Sequence, residues 1–384
     1  MSTIKIIVAP DSLKESLPAV RAAEAMARGA REACPEARIV SVPLADGGEG
    51  TVDVVIRGTG GERHEVTVHD PLGRKRRANV AMLPGGEAFV EMAQASGLDL
   101  LKIGERNPLR TSTYGTGELI RAALDQGARR IAVGIGGSAT VDGGTGMAEA
   151  LGARFYDHDG KKIENLCGKT LRRIGDIDLN GLDGRLTDAQ FTVACDVANP
   201  LTGPTGAARI YAPQKGAGHT AVDDLAMGLE NLADVLETQL GRPVRDLPGG
   251  GAAGGLGAGL VAFLDAEVRS GIEVVMELTG LRDKMLDSDL VLTAEGRLDG
   301  QSAFGKVVAG VGQLARELAV PVVALAGSLG PDWQKIRDHG VSTAFSICDG
   351  PISLDEAKHR ADPLLCQTAA ARLDLWNAAQ DVQS

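Results

Sequence analysis

Charged side chains recur in this chain inside glycine-rich turns, each turn following a short apolar run. Asp11, Ser12 and Lys14 follow residues 4–9, and Asp46, Gly47, Gly48 and Glu49 follow residues 38–44. Gly136, Gly137, Ser138 and Asp142 follow residues 131–135, Asp196 follows residues 190–194, and Glu295, Arg297 and Asp299 follow residues 290–293. Lys215 in YAPQKGAG and Lys306 after Gly305 add two cations in loops. A glycine turn that opens a helix leaves backbone N–H groups unshielded at the positive end of the helix, which suits a phosphate or a carboxylate. Asp46 and Glu49 can hold Mg²⁺ or orient a hydroxyl, because Mg²⁺ takes one or two carboxylates plus substrate oxygens. The stretch TSTYGTG (residues 111–117) is a weaker anion candidate, for which an N-cap is the simpler expectation.

The elements that must position these turns follow from hydrophobic spacing. Ile131, Val133 and Ile135 alternate as in a strand, and Met147, Ala150 and Leu151 then fall at helical intervals. The same rhythm appears at residues 4–35 and 38–57, and again from about residue 287, where a helix over 306–318 and strands over 322–326 and 343–347 follow. Residues 62–92 instead read as a meander of strands at 64–68, 79–82 and 88–92. The fold class expected is therefore α/β with two α/β domains. A parallel-sheet domain built from both chain ends (1–65 and 287–384) would enclose an inserted domain with a mixed sheet (66–286). In open α/β sheets ligands bind beyond the carboxyl ends of strands, which is where the charged turns fall.

Composition narrows the function. The 384 residues carry a formal net charge of −11, 51 glycines and only 3% aromatics, which disfavours a nucleic-acid binder that needs basic and stacking side chains. The run Arg74 to Arg77 follows Asp70-Pro71-Leu72-Gly73 and reads as the solvated tip of a hairpin. Five scattered cysteines and six histidines show no metal spacing, and a reduced, cytoplasmic setting is expected. No signal peptide is expected at MSTIKIIVAP, and the uncharged stretch 247–264 is too short and glycine-rich for a membrane span.

Two familiar motifs are approached and missed. Gly134-x-Gly136-x-x-Ala139 follows a strand as a dinucleotide fingerprint does, yet Thr140-Val141-Asp142-Gly143-Gly144 intervenes where apolar helix residues should start. Gly300 to Lys306 has P-loop spacing, but Val307 stands where Ser or Thr should ligate Mg²⁺. Lys306 can still meet a phosphate as a point charge. A nicotinamide-dependent oxidoreductase, resting on the first motif alone, is the rival of the same fold class.

Seven segments in order resemble one family. APDSLKES (9–16), PLADGGEGT (43–51), GIGGSATVDGGTGM (134–147), CDVANPLTGPTGAA (195–208), APQKGA (212–217), GAAGGLGAG (251–259) and AEGRLDGQSAFGK (294–306) look like the bacterial type 1 glycerate kinases. The family usually has Phe at Leu13, Gly at Glu15, Asn at Val141 and Gly at Ala294, so no charged group is missing. The resemblance implies ATP- and Mg²⁺-dependent phosphorylation of D-glycerate to 2-phosphoglycerate, with 3-phosphoglycerate as the alternative product. It also implies a flavodoxin-like domain, an active site in the cleft between two domains, small-molecule partners only, and leaves a homo-oligomer open. Phosphoryl transfer needs cations on the γ-phosphate, a metal and an oriented acceptor. On that footing the turn Gly136, Gly137, Ser138 takes an anion, with Asp142 and Lys215 beside it as binding candidates. Lys14 and Lys306 take phosphates, Arg297 the glycerate carboxylate, Asp46 and Glu49 the metal, and Asp196 serves as base. Asp11, Ser12, Gly47 and Gly48 complete the binding set, and Glu295 and Asp299 can exchange duties with Asp46 or Asp196.

Overall fold

A computed structural model of the chain describes residues 3–300 and 307–381. Fourteen strands are found among them. The first two, β1 (Lys5–Val8) and β2 (Arg38–Ser41), flank the helix Ala19–Ala33. The middle of the chain carries β3 (Glu62–His69), β4 (Lys75–Leu83), β5 (Glu87–Glu91), β6 (Arg130–Gly134), β7 (Arg154–Asp157), β8 (Lys162–Ile163), β9 (Ile174–Asp178), β10 (Gln190–Ala194) and β11 (Glu267–Arg269). The last three are β12 (Leu290–Leu298), β13 (Val322–Leu329) and β14 (Thr343–Ser346).

The residues form two compact units. One comprises Met1–Asp46, Asp53–Gly60 and Ile272–Ser384, and the other Gly47–Val52 and Gly61–Gly271. In the first, five parallel strands lie in the order β14-β13-β12-β1-β2. Numbered within this sheet alone, that is 2-1-3-4-5, the flavodoxin order. The central runs predicted as strands, β1 and the first six residues of β12, are buried on both faces, as a parallel sheet covered by helices requires, whereas the edge strands β2 and β14 are largely half-buried. Ile6, Val8, Leu292 and Leu325 form a core with Met26 of the first helix and Leu365 of the helix Ala361–Asp381. Those two helices touch closely because Gly29 has no side chain: a Cβ there would sit 2.1 Å from the Cys366 carbonyl oxygen.

In the second unit a six-stranded mixed sheet runs β11-β10-β6-β5-β4-β3, and β8-β7-β9 form a small antiparallel sheet. The expected meander is β3 to β5, closed by a turn in which Asp70 accepts hydrogen bonds from the Leu72 and Arg74 amides at 2.9 and 2.8 Å. Leu119, Ile120, Val133, Met147 and Phe155 centre its core. Among the described residues no helix is long and apolar enough to cross a membrane.

Candidate functional site

In the first unit three strand ends bring acids together. The Asp11 amide donates to the Ala294 carbonyl oxygen at 2.9 Å, and the Leu44 amide to that of Pro10 at 2.9 Å, so the turns after β1 and β2 and the end of β12 meet along one edge. Asp11 and Glu295 are buried and Asp46 is half-buried. Burial first, then the neighbouring Asp46 and Glu295 charges, push the Asp11 carboxyl up to about 7, against the Ser12 amide bond at 2.6 Å and the nearby Lys14. Exposed Lys14 thus lies within electrostatic reach of this group. Arg297 is exposed and its Nε donates to Asp299 Oδ2 at 3.0 Å. Among the described residues no three His, Cys, Asp or Glu side chains are disposed to hold a metal by themselves. Lys306 lies outside the described residues.

In the second unit the glycine turn after β6 is packed against another backbone. A Cβ on Gly134 would come within 2.3 Å of the Gly47 carbonyl oxygen, and one on Gly136 within 2.8 Å of the Gly48 Cα. Glycine at both positions lets the turn 47–52 lie on the end of β6. That turn is held from β5: buried Glu91 accepts from the Gly50 and Val52 amides, both at 3.1 Å. Glu91 was not among the residues singled out from the sequence. Its signal was available in strand alternation, because Glu91 shares a face with Phe89, which is fully buried.

Beyond Gly137 the turn is fixed by Leu98 and Ala139. The Leu98 amide donates to the Gly137 carbonyl at 2.8 Å and the Ala139 amide to that of Ser96 at 2.8 Å. Ser138 is nearly buried, and its Oγ accepts a hydrogen bond from Lys215 Nζ at 2.6 Å. Lys215 also donates to the Thr140 carbonyl at 2.7 Å. The sequence places Lys215 in a loop. There Lys215 ends the 3₁₀ turn Pro213–Lys215 and is buried, and burial lowers its pKa to about 7 although the Asp142 charge acts the other way.

Asp142 is fully enclosed. Its Oδ2 accepts from the Thr113 amide at 2.7 Å and the Thr113 hydroxyl at 2.8 Å, and desolvation raises its pKa against these bonds. The Thr113 hydroxyl accepts in turn from the Met147 amide at 2.9 Å. Thus at the start of the helix Tyr114–Asp125 the Thr113 amide is met by Asp142 and the Tyr114 amide by the Ser112 hydroxyl at 3.3 Å, while Thr113 itself makes no side-chain cap. Asp196, beyond β10, is exposed, and its Oδ1 accepts from Ser270 Oγ and the Gly271 amide, both at 2.8 Å. Gly47 lies against the end of the same strand, since a Cβ there would be 3.1 Å from that of Ala194. Glu49 is exposed.

Two groupings result: Asp11, Asp46 and Glu295 with Lys14 nearby in one unit, and Gly47, Gly48, Gly136, Ser138, Asp142 and Lys215 in the other. A separate cavity of about 460 Å³ in the second unit, walled by His69, Arg110, Lys162 and Cys167 among others, includes Ser112 and Tyr114 of the TSTYGTG stretch but none of the charged candidate residues. The departures from the family pattern are accommodated locally. Val141 is fully buried in the core, Ala294 is buried in β12, and Glu15 adopts a left-handed φ of 61° while its carboxylate accepts from Lys358 Nζ at 2.5 Å.

A flavodoxin-order sheet with charged turns at its carboxyl edge, joined to a second glycine-rich α/β unit, defines an α/β enzyme architecture of the kind that binds small molecules at strand ends. The chain belongs to the glycerate kinase family, whose model matches residues 6–377. A glycerate kinase from Halalkalibacterium halodurans is 46% identical over 375 residues, 97% of this chain and 98% of the relative. A glycerate 2-kinase from Escherichia coli is 47% identical over 367 residues, 95% and 96% of the two chains. The crystal structure of a protein assigned as glycerate kinase 2 from Salmonella typhimurium LT2 superposes with a TM-score of 0.90 at 43% identity, covering 99% of this chain and 100% of that one.

Proposed function

We propose that this protein transfers the γ-phosphoryl group of ATP to the 2-hydroxyl of D-glycerate, giving 2-phosphoglycerate and ADP. The observation that carries the reading is the match of nearly the whole chain to glycerate kinases, one of them named for the 2-position. The charged turns supply what the reaction needs. Lys14 meets phosphate oxygens, and Arg297 matches the planar glycerate carboxylate. Lys306 belongs with Lys14 on the phosphates. The Asp196 carboxylate, oriented by Ser270 and the Gly271 amide, accepts the proton of the acceptor hydroxyl.

The residues fit Mg²⁺. Asp11, Asp46 and Glu295 are oxygen donors that repel one another, as a hard cation would relieve. Asp46 and Glu49 of the one turn would hold the metal together with phosphate oxygens, with Asp11 near Asp46 and Glu295. When bound, Mg²⁺ neutralises charge on the transferred phosphoryl oxygens. Aspartate 11 also fixes the turn that presents Lys14, through its bond from the Ser12 amide.

The test is ADP release on mixing the protein with ATP, Mg²⁺ and D-glycerate, followed by phosphorus NMR of the product. A doublet from a secondary phosphate ester is expected. Absence of ADP release, or a product esterified at the primary hydroxyl, overturns the assignment.

A further inference from the structure

We infer that Lys215 is a positioning residue that turns the Ser138 hydroxyl into an outward hydrogen-bond donor for an anionic oxygen of a substrate. The inference rests on the kinase reading above and adds to it a specific way of meeting negative charge in the second unit. An ammonium group donates hydrogen bonds and accepts none. In the charged form of Lys215 the 2.6 Å contact therefore runs from its Nζ to Ser138 Oγ, and the single hydroxyl hydrogen of Ser138 must point away from the lysine. Lys215 is 2% exposed and Ser138 8%, so of the two Ser138 keeps the larger contact with solvent.

The surroundings leave little else for that hydrogen to do. Gly136 and Gly137 carry no side chains, so in this turn Ser138 alone offers a side-chain donor. The Thr140 carbonyl is already taken by Lys215, and the Ala139 amide by Ser96. The same segment leaves the Thr140 hydroxyl buried with no hydrogen-bond partner among the described residues, a second polar group unmatched beside the lysine. A hydroxyl that accepts from a cation is polarised into a stronger donor, so positive charge reaches the ligand without exposing the ammonium to water. Burying an ammonium is costly unless it is paired and hydrogen-bonded, and here Ser138 Oγ and the Thr140 carbonyl accept from it while the Asp142 charge favours it.

The test is steady-state kinetics on Ser138→Ala, Lys215→Met and the double variant, with ATP and D-glycerate varied separately. Each single change is expected to raise KM for one substrate about tenfold with a smaller effect on kcat, and the double variant to be no worse than Lys215→Met. A rise confined to ATP assigns a phosphate oxygen, and one confined to D-glycerate assigns the carboxylate. Multiplicative losses in the double variant, or a Ser138→Ala enzyme with both KM values unchanged, overturn the inference. Should Lys215→Met fail to fold, Ser138→Ala decides alone. Wild-type protein that releases no ADP fails the kinase reading instead. Calorimetric titration of ATP and of D-glycerate into wild type and Ser138→Ala then still reads the inference, through weakened or unchanged binding.

Discussion

Replacing Glu91 with Gln tests whether the turn 47–52 is held by one buried carboxylate. Glu91 is 2% exposed, and its two oxygens accept from the Gly50 and Val52 amides at 3.1 Å each. Each such bond to a charged acceptor is worth about 1.5–3 kcal/mol, and a donor left facing a donor adds the cost of an unsatisfied buried group. Glutamine is nearly isosteric, so no void opens. It keeps one acceptor oxygen, and its amide nitrogen must confront the other backbone N–H. We expect a loss of about 2–4 kcal/mol, which in a domain of this size lowers Tm by roughly 5–10 °C. The turn also carries Gly47, Gly48 and Glu49, so kcat/KM should fall at least about tenfold even at temperatures where the fold persists. Scanning calorimetry reads the first effect and ADP release at 25 °C the second. A Glu91→Gln protein that melts within 1 °C of wild type and turns over normally would refute the claim that this carboxylate organises the turn.

Three further outcomes follow from the same geometry. Asp196→Asn should cut kcat about 10²-fold or more with a minor change in KM, and turnover at the wild-type rate would remove it as the base. Arg297→Ala should raise KM for D-glycerate while leaving stability within about 1 kcal/mol, because its ion pair with Asp299 is made by an exposed guanidinium; an effect on ATP alone would reassign it. Lys215, with a folded pKa of about 7 against 10.5 when exposed, binds fewer protons folded than unfolded between those values. Its destabilising contribution is complete below pH 7 and fades as pH rises, by up to about 1.4 kcal/mol per pH unit. Urea unfolding of wild type at pH 7, 8 and 9 should show this upward slope relative to Lys215→Met, and parallel curves would contradict the burial of a titrating ammonium.

Strands were legible wherever β-branched runs are buried on both faces. The run expected at 190–194 is β10 itself, and that at 4–9 contains β1. The turns between them were legible as loops carrying acids, and Asp11, Asp46 and Glu295 gather at one edge. What spacing concealed was the second use of glycine. Gly134 and Gly136 are small because Gly47 and Gly48 press on them, a contact between segments far apart in sequence. The glycine-dense segment 251–259 is likewise used for packing: a Cβ on Gly254 would lie 2.0 Å from the Thr140 carbonyl oxygen, and one on Gly259 2.5 Å from that of Gly143. Burial of Lys215 was hidden for a different reason. A lysine among Gln, Gly and Ala reads as solvated, and only Ser138 and Thr140, from another loop, make its burial tolerable. The small sheet of β7, β8 and β9 went unseen because its strands span two to five residues of mixed polarity.

The acid group at the edge of the first sheet depends on a topology that local sequence cannot carry. In a parallel sheet the carboxyl ends of neighbouring strands lie side by side, whatever chain separates them. Val8 of β1 pairs with Leu292 of β12, and the next bonds along, from the Ala9 and Asp11 amides to the Leu292 and Ala294 carbonyls, carry the pairing out to the turn. The Thr293 hydroxyl adds a bond to the Ala9 carbonyl at 2.8 Å. Asp11 therefore meets Glu295 only when the C-terminal segment has added its strand. Enclosing the long intervening segment costs little, since each doubling of loop length adds only about 0.6 kcal/mol. β1 and β2 lead into the turns that carry Asp11, Lys14 and Asp46, whereas Glu295 and Arg297 both lie on β12, so the acid group at this edge needs both chain ends.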